Sequence, residues 1–424
     1  MSADNKLLKL IDIYIMPKLV QINVSLNKGS TGRIAEWIAT TAQKRGWDCY
    51  MVHGARYMNP SKFKSIQVSS IDEERCHYMK SLLFDAQGLG SKKATRRLIS
   101  KLYEIKPDVV HLHNLHGCFI NYPLLFEYLT KEKIPVIWTL HDCWPFTGHC
   151  VYFDMVSCEK WQTGCGCCIQ KRKFPQSLVV DKSKRNWNLK RTLFNSVDNM
   201  VLAPVSEWLG GFVKKSFLKE HPIEVIHNGI DLNVFKPVAN DIRKIYNAER
   251  KYLILGVADG FGERKGFDDF VKLASLLGNQ YLIILIGVEE RKQVPNLSNV
   301  KILSRTNSQQ ELVKFYSAAD VFVNPTYEDN FPTTNLEALA CGTPVITYNT
   351  GGSPEAIDET TGIVVEKGNL QALTDAIRRL KKNPIDVTAC RQRAKTHYDK
   401  DICFGRYVDV YDEMTNCQIV SSLK

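Results

Sequence analysis

No run of apolar residues in this 424-residue chain approaches the roughly 18 needed to cross a bilayer as a helix. No signal-peptide pattern opens it. Low-complexity stretches are missing, as is any RNA- or DNA-binding motif that would account for a basic charge. These absences argue against an integral membrane protein, an exported protein and a nucleic-acid binder, and they set the expectation of a cytoplasmic location. With 24% charged and 44% apolar residues, the composition is that of a soluble globular protein with room for two or three domains.

What the chain does have is positive charge: 56 Lys and Arg against 45 Asp and Glu, a net +11. That excess calls for an anionic partner, either a phosphorylated substrate or a membrane face. Lys92, Lys93, Arg96 and Arg97 form one basic group. A second runs from Lys171 to Arg191, with Trp187, Leu189, Leu193 and Phe194 interleaved. It has the form of a basic helix with an apolar side. Such a helix either rests on anionic lipid, making the protein peripheral on the cytoplasmic membrane face, or packs that side on its own domain.

Strand-like and helix-like runs alternate along the chain. Strands read at 18–24, 48–53, 108–113, 135–141, 199–205 and 223–227, then at 251–258, 281–287, 300–304, 320–325, 343–348 and 362–366. Helical periodicity fills intervals such as 33–45, 268–277, 309–318 and 369–381. Twelve strands with helices between them predict two parallel-sheet α/β domains. Residues 1–15 read as an N-terminal extension. The first domain is placed at 16–228 with a cysteine-rich insertion at 143–170, the second at 229–395, and a C-terminal helical segment at 396–424. Residues 388–417 look like one amphipathic helix with Ile402, Tyr407, Val408, Tyr411 and Met414 on its apolar stripe.

The densest chemistry lies at 324–346. A β-branched strand runs into Thr326-Tyr327-Glu328-Asp329-Asn330-Phe331-Pro332, then a helix that Thr333 can cap and Gly342 ends, then a second strand. The N-terminus of such a helix points at the crevice beyond the strand ends and binds an anion there. Asp329 and Glu337 flank that point, eight positions apart. Acids beside an anion site make sense for a ligand that also presents hydroxyls, as a nucleotide sugar does.

This segment resembles the acidic motif of the retaining glycosyltransferases of family 4, which have the GT-B fold: two Rossmann-like domains facing a cleft. Asp329 matches the first of the family's two acids, with Glu328 next door as the alternative, and Glu337 matches the second. The resemblance extends over nearly the whole chain. Gly29-Ser30-Thr31-Gly32-Arg33 stands where the family has its N-terminal glycine loop, and His113 matches its active-site histidine. His141-Asp142 looks like an acceptor-side cleft element. Val205-Ser206-Glu207-Trp208 and the segment around His227-Asn228-Gly229 match recurrent scaffold and hinge segments. Lys265 matches the lysine of a Lys-Gly element, and Arg264 stands in for a family arginine missing near Asp259. Thr350-Gly351-Gly352-Ser353-Pro354-Glu355 adds a second glycine loop.

The resemblance implies that a UDP- or GDP-linked sugar binds between Arg264/Lys265 and the Asp329–Glu337 helix. Gly29, Gly32, Asn330 and Phe331 contribute to the donor site, and Glu337 holds the ribose. Asp329 or Glu328, with His113, grips the transferred sugar. It also implies chemistry without a metal, a glycan or lipid-linked acceptor for bacterial surface polysaccharide, and a last helix that crosses back to the first domain.

Cys150, Cys158, Cys165 and Cys168 supply four thiols for a structural Zn²⁺, with Cys167 spare and His149 a substitute. Similar cysteine-rich insertions occur in a bacterial subset of the family. Disulfides are the rival reading, disfavoured by the expected reducing compartment. Two other classes of function stand beside the transferase: a sugar-nucleotide epimerase using the same cleft, and a non-catalytic zinc-bearing binding module.

Overall fold

The computed structural model describes residues 16–289 and 297–422, so the extension expected at 1–15 lies outside the described residues. Two six-stranded sheets organise the chain. The first comprises β1 (Lys18–Ile22), β2 (Asp48–His53), β3 (Lys64–Gln67), β4 (Val109–Leu112), β5 (Val136–Leu140) and β6 (Met200–Pro204). The second comprises β7 (Tyr252–Val257), β8 (Tyr281–Ile286), β9 (Val300–Leu303), β10 (Val321–Asn324), β11 (Val345–Tyr348) and β12 (Gly362–Val365). Every pairing in both sheets is parallel. Their orders, β3-β2-β1-β4-β5-β6 and β9-β8-β7-β10-β11-β12, follow the same pattern. In each, the order reverses beside the first strand, and ligands bind outside the carboxyl ends of strands at such a switch point. Central strands are covered on both faces, which is why β4, β5, β8 and β11 are buried throughout.

The last helix, α-helical over Lys400–Ser422, returns to the first domain. Arg45 pairs with Asp409 at 2.6 Å and Asp412 at 2.5 Å, the Trp47 indole donates to Asp412, and Tyr411 reaches His111 Nδ1 at 2.6 Å. Tyr407, Val408, Tyr411 and Met414 are buried as the stripe requires, but Ile402 is 56% exposed.

Three local expectations need correction, and one choice left open is decided. Residues 223–227 form no strand; only an isolated bridge joins Ile223 to Leu202. The sixth strand of the first sheet is β3 instead, an exposed edge whose sequence KSIQ carries no apolar alternation. The single helix expected at 388–417 is two, Val387–His397 and Lys400–Ser422. Tyr398 and Lys400 break it because they pair with the hinge: Ile230 N–H donates to Tyr398 O, and Lys400 N–H to Ile230 O. Finally, the basic helix Ser183–Phe194 buries Trp187 and Phe194 in its own domain. Lys190 is buried with them, donating to the Trp144 and Thr147 carbonyls at 2.6 and 3.0 Å. That apolar side is unavailable to lipid.

Candidate active site

At the end of β10 the chain turns through residues 325–332 into a helix over Thr333–Ala340. Its N-cap is Pro332 rather than Thr333, and no side chain caps it. Its first N–H groups are thus left to face the crevice. A buried amide network fixes the helix: Asn324 donates to Asn335 at 2.8 Å, and Asn335 donates to Ser353 Oγ at 3.0 Å. This draws the second glycine loop against the acid loop. A Cβ on Gly351 would lie 1.7 Å from Asp329 O, and one on Gly352 would lie 2.1 Å from Asn330 O. Only glycine permits that approach.

The loop after β7 closes on the same segment. Gly266 has φ +66°, and a Cβ there would meet Pro325 O at 2.2 Å. Arg264 donates through Nη1 to Glu328 O at 2.8 Å, while Tyr327 N–H donates back to Arg264 O. Lys265 forms an ion pair with Asp329. The structure thus joins Arg264, Lys265, Asp329 and the uncapped helix in one constellation. The neighbouring Glu328 points elsewhere, its Oε1 accepting the Met155 N–H at 2.7 Å. Asn330 donates across the cleft to His141 O at 2.5 Å, and Phe331 is buried beside His227, 4.8 Å between ring centroids.

Glu337 lies one turn into the helix, in a narrow cavity shared with Thr333 and, from the first domain, Ser30 and Arg33. Burial raises its pKa to about 7, although Tyr316 OH donates to it at 2.9 Å. Gly29 opens the first-domain helix Gly29–Lys44 with φ +68°. Gly32 lets that helix approach Ser25, whose Oγ would lie 2.9 Å from an added Cβ. The glycine loop therefore faces Glu337 through Arg33, a residue to which sequence reasoning gave no role although it stands in the quoted motif.

His113 is buried, and both its ring nitrogens are engaged: Nε2 with Gln21 Oε1 at 2.9 Å, Nδ1 with His141 Nε2 at 3.1 Å. The Gln21 amide nitrogen donates to Ala35 O, so its oxygen faces His113. That network assigns the proton of His113 to Nε2 and makes Nδ1 the acceptor of the His141 N–H. Burial pushes His113 well below the ordinary histidine pKa and His141 down to about 4, so both are neutral near pH 7. His141 is the more exposed of the two.

The cysteine-rich insertion departs from expectation twice. Cys165 Sγ accepts the Gly148 N–H at 3.2 Å, and a hydrogen bond from the Cys150 thiol pulls the Cys168 thiol down to about 7. Among the described residues, however, no three His, Cys, Asp or Glu side chains are spaced to hold a metal ion. The thiols expected as zinc ligands, Cys150, Cys158, Cys165 and Cys168, are free, and the zinc reading gains no support. The thiols lie near one another, Cys150 and Cys165 each interacting with Cys168, and Cys165 also with Cys158. Nor is the insertion confined to the acceptor side. Met155 reaches Glu328, Asp154 pairs with Lys367 at 2.8 Å, and the Arg264 guanidinium lies 5.1 Å from the Tyr152 ring centroid. Sequence reasoning missed Tyr152, Asp154, Met155 and Lys367. It read Glu355 only as part of a glycine loop, whereas its carboxylate accepts from the Glu207 and Trp208 N–H groups and pairs with His227, joining the domains at the hinge.

Comparison with known proteins places this geometry. The family model described as Glycosyltransferase Family 4 matches residues 32–234, and that of Glycosyl transferases group 1 matches 238–397. The chain is 23% identical to the putative colanic acid biosynthesis glycosyl transferase WcaC of Escherichia coli, covering 93% of this chain and 100% of that protein. It is 26% identical to the Campylobacter jejuni N,N'-diacetylbacillosaminyl-diphospho-undecaprenol alpha-1,3-N-acetylgalactosaminyltransferase, over 50% of this chain and 59% of that protein. Among solved structures, the sucrose-phosphate synthase of Thermosynechococcus elongatus superposes with a TM-score of 0.68 at 17% identity, covering 95% of this chain and 100% of that one. The Anabaena protein HepE, solved in complex with UDP, gives 0.64 at 14% identity, covering 94% and 100%.

Proposed function

The chain belongs to glycosyltransferase family 4 and has the GT-B fold, and from that premise we propose that it moves a sugar from a UDP- or GDP-linked donor to a lipid-carried glycan in bacterial polysaccharide assembly. The observation that carries this reading is the meeting of Arg264, Lys265, Asp329 and an uncapped helix N-terminus at one switch point, with Glu337 one turn deeper. Fixed cations and helix N–H groups are what a departing diphosphate requires. Arg264 and Lys265 take the diphosphate, Glu337 accepts from the ribose hydroxyls, and Asp329 holds the transferred sugar, with Glu328 as the alternative. His113 supports the sugar side through His141, whose N–H it accepts.

Transfer proceeds with retention. The acceptor hydroxyl attacks the anomeric carbon from the face the diphosphate leaves, the bond from that carbon to the phosphate oxygen breaks, and the acceptor's proton passes to the leaving phosphate. The site's role is positioning and charge stabilisation, since burial lowers the pKa of both histidines near it and makes them weak bases.

A lipid-carried acceptor is favoured by the surface beside the insertion. Ile169, Phe174 and Val179 are 67%, 57% and 63% exposed among Lys171, Arg172 and Lys173. The Phe174 ring lies 5.4 Å from that of His116, which bonds to Asp142 of the acceptor-side element at 2.7 Å. Apolar side chains ringed by cations suit an anionic membrane on the cytoplasmic face. The names of two relatives, a colanic acid transferase and one acting on a diphospho-undecaprenol sugar, agree with this class of acceptor. Isothermal titration with a panel of UDP- and GDP-sugars, followed by product anomer assignment, tests the reading. Binding of none of them would overturn it. The epimerase and binding-module readings have no observation in their favour.

A further inference from the structure

The cysteine-rich insertion belongs by sequence to the first domain, yet it makes three separate contacts with the donor-side loops of the second. Its anchoring explains how. Phe153 stacks on Trp161 with centroids 5.1 Å apart, and Trp161 meets Phe146 at 5.3 Å and Phe212 at 5.4 Å, all within the first domain. With Phe153 held in that aromatic cluster, the adjacent Tyr152 is turned toward the cleft, and the Gln170 amide holds its carbonyl at 2.6 Å. Two residues further on, Asp154 pairs with Lys367, and the Met155 N–H takes Glu328. The segment is thus fixed on both sides of the cleft, with the Tyr152 ring between them.

That ring faces Arg264, 5.1 Å from its guanidinium, a distance at which a cation is attracted to an aromatic face. Arg264 also donates Nη1 to Glu328 O, so one side of the fork is fixed by the acid loop of its own domain and the plane by Tyr152. A planar guanidinium gains most from a phosphate when its orientation is set beforehand. The Tyr152 phenol is neutral, its pKa raised by burial and by the nearby Asp329, so it adds no competing negative charge.

We propose that Tyr152 is a positioning residue for the donor diphosphate: it holds the plane of Arg264 from the opposite domain, so that the insertion completes the nucleotide site only where the two domains meet. This rests on the donor-site reading above. It also gives the insertion a role in the donor half of the reaction, which the sequence assigned to the acceptor half alone.

Titration of the full chain with UDP and GDP, the diphosphates without their sugar, tests it. Tyr152→Leu is expected to weaken the bound diphosphate about tenfold, whereas Tyr152→Phe, which keeps the ring, stays within about twofold of the native chain. In an Arg264→Ala background, Tyr152→Leu should add almost nothing, because the residue acts through Arg264. Equal losses from Tyr152→Leu in both backgrounds would mean that the substitution merely disturbs the fold, and would overturn the inference. Native-like affinity of Tyr152→Leu would do the same, as would a loss in Tyr152→Phe as large as that in Tyr152→Leu. If the native chain binds neither UDP nor GDP, the donor-site reading falls and this inference with it. Binding by the native chain with no effect at Tyr152 overturns the inference alone.

Discussion

Lys265 and Asp329 are partners in an ion pair, the cation from the loop after β7 and the acid from the loop after β10, with side chains only 18% and 14% exposed. The cation proposed to take the diphosphate is thus already paired with the acid proposed to hold the sugar. On the proposed reading, a diphosphate would take over Lys265 and release Asp329 toward the sugar hydroxyls. The same reading makes donor binding and orientation of the acid one event.

Lys265→Ala should therefore lower turnover by about two to three orders of magnitude, the scale of losing one preorganised charge. It also leaves Asp329 partly buried without its partner, so the melting temperature should fall. The double substitution Lys265→Ala/Asp329→Asn should recover the melting temperature but not the turnover. Scanning calorimetry and steady-state kinetics measure the two readouts, and near-native turnover would remove Lys265 from the site.

The adjacent acids should separate. Asp329→Asn should reduce kcat strongly, whereas Glu328→Gln should have the smaller effect, because Glu328 is committed to the Met155 N–H of the insertion. The reverse order of damage would assign the sugar contact to Glu328.

Glu337 has a pKa of about 7 in the fold, raised by burial above the ordinary value. Between the unfolded value and about 7 the folded protein binds more protons than the unfolded chain, so stability falls as pH rises through that window. Glu337→Gln, which cannot ionise, should thus gain melting temperature relative to the native chain at pH 8 more than at pH 5. Donor affinity should move oppositely. The ribose hydroxyls favour the carboxylate, so native donor KM should rise as pH falls below about 7, and Glu337→Gln should lose that dependence and bind weakly throughout. A native donor KM that is flat from pH 6 to 8, a range spanning about one unit either side of that pKa, would remove Glu337 from the ribose.

The exposed apolar group at Ile169, Phe174 and Val179 should drive sedimentation with vesicles containing phosphatidylglycerol and not with phosphatidylcholine alone. Phe174→Ser/Val179→Ser should reduce that binding several-fold while leaving UDP or GDP affinity unchanged. Equal binding to both vesicle types would sink the anionic-membrane reading.

The division into two α/β halves, eleven of the strands expected and the spacing of Asp329 and Glu337 were legible in the sequence, because each is written in local periodicity and turn chemistry. Residues such as Tyr281–Ile286 declare a strand by being apolar on both faces, and Gly266 and Gly351 declare close backbone approaches. What escaped was decided by partners far along the chain. The edge strand Lys64–Gln67 exists because β2 offers it hydrogen bonds, and the last helices part at Tyr398 because Ile230 claims its carbonyl. Lys190 looked like surface charge and is buried under the Trp144 and Thr147 carbonyls. The four cysteines looked like a metal cage, but among the described residues no three metal-ligating side chains take up the spacing of one. Tyr152, Asp154 and Met155 carry no motif at all. Their place at the donor loops comes from the folding of the insertion onto the second domain, a contact that no local pattern of residues encodes.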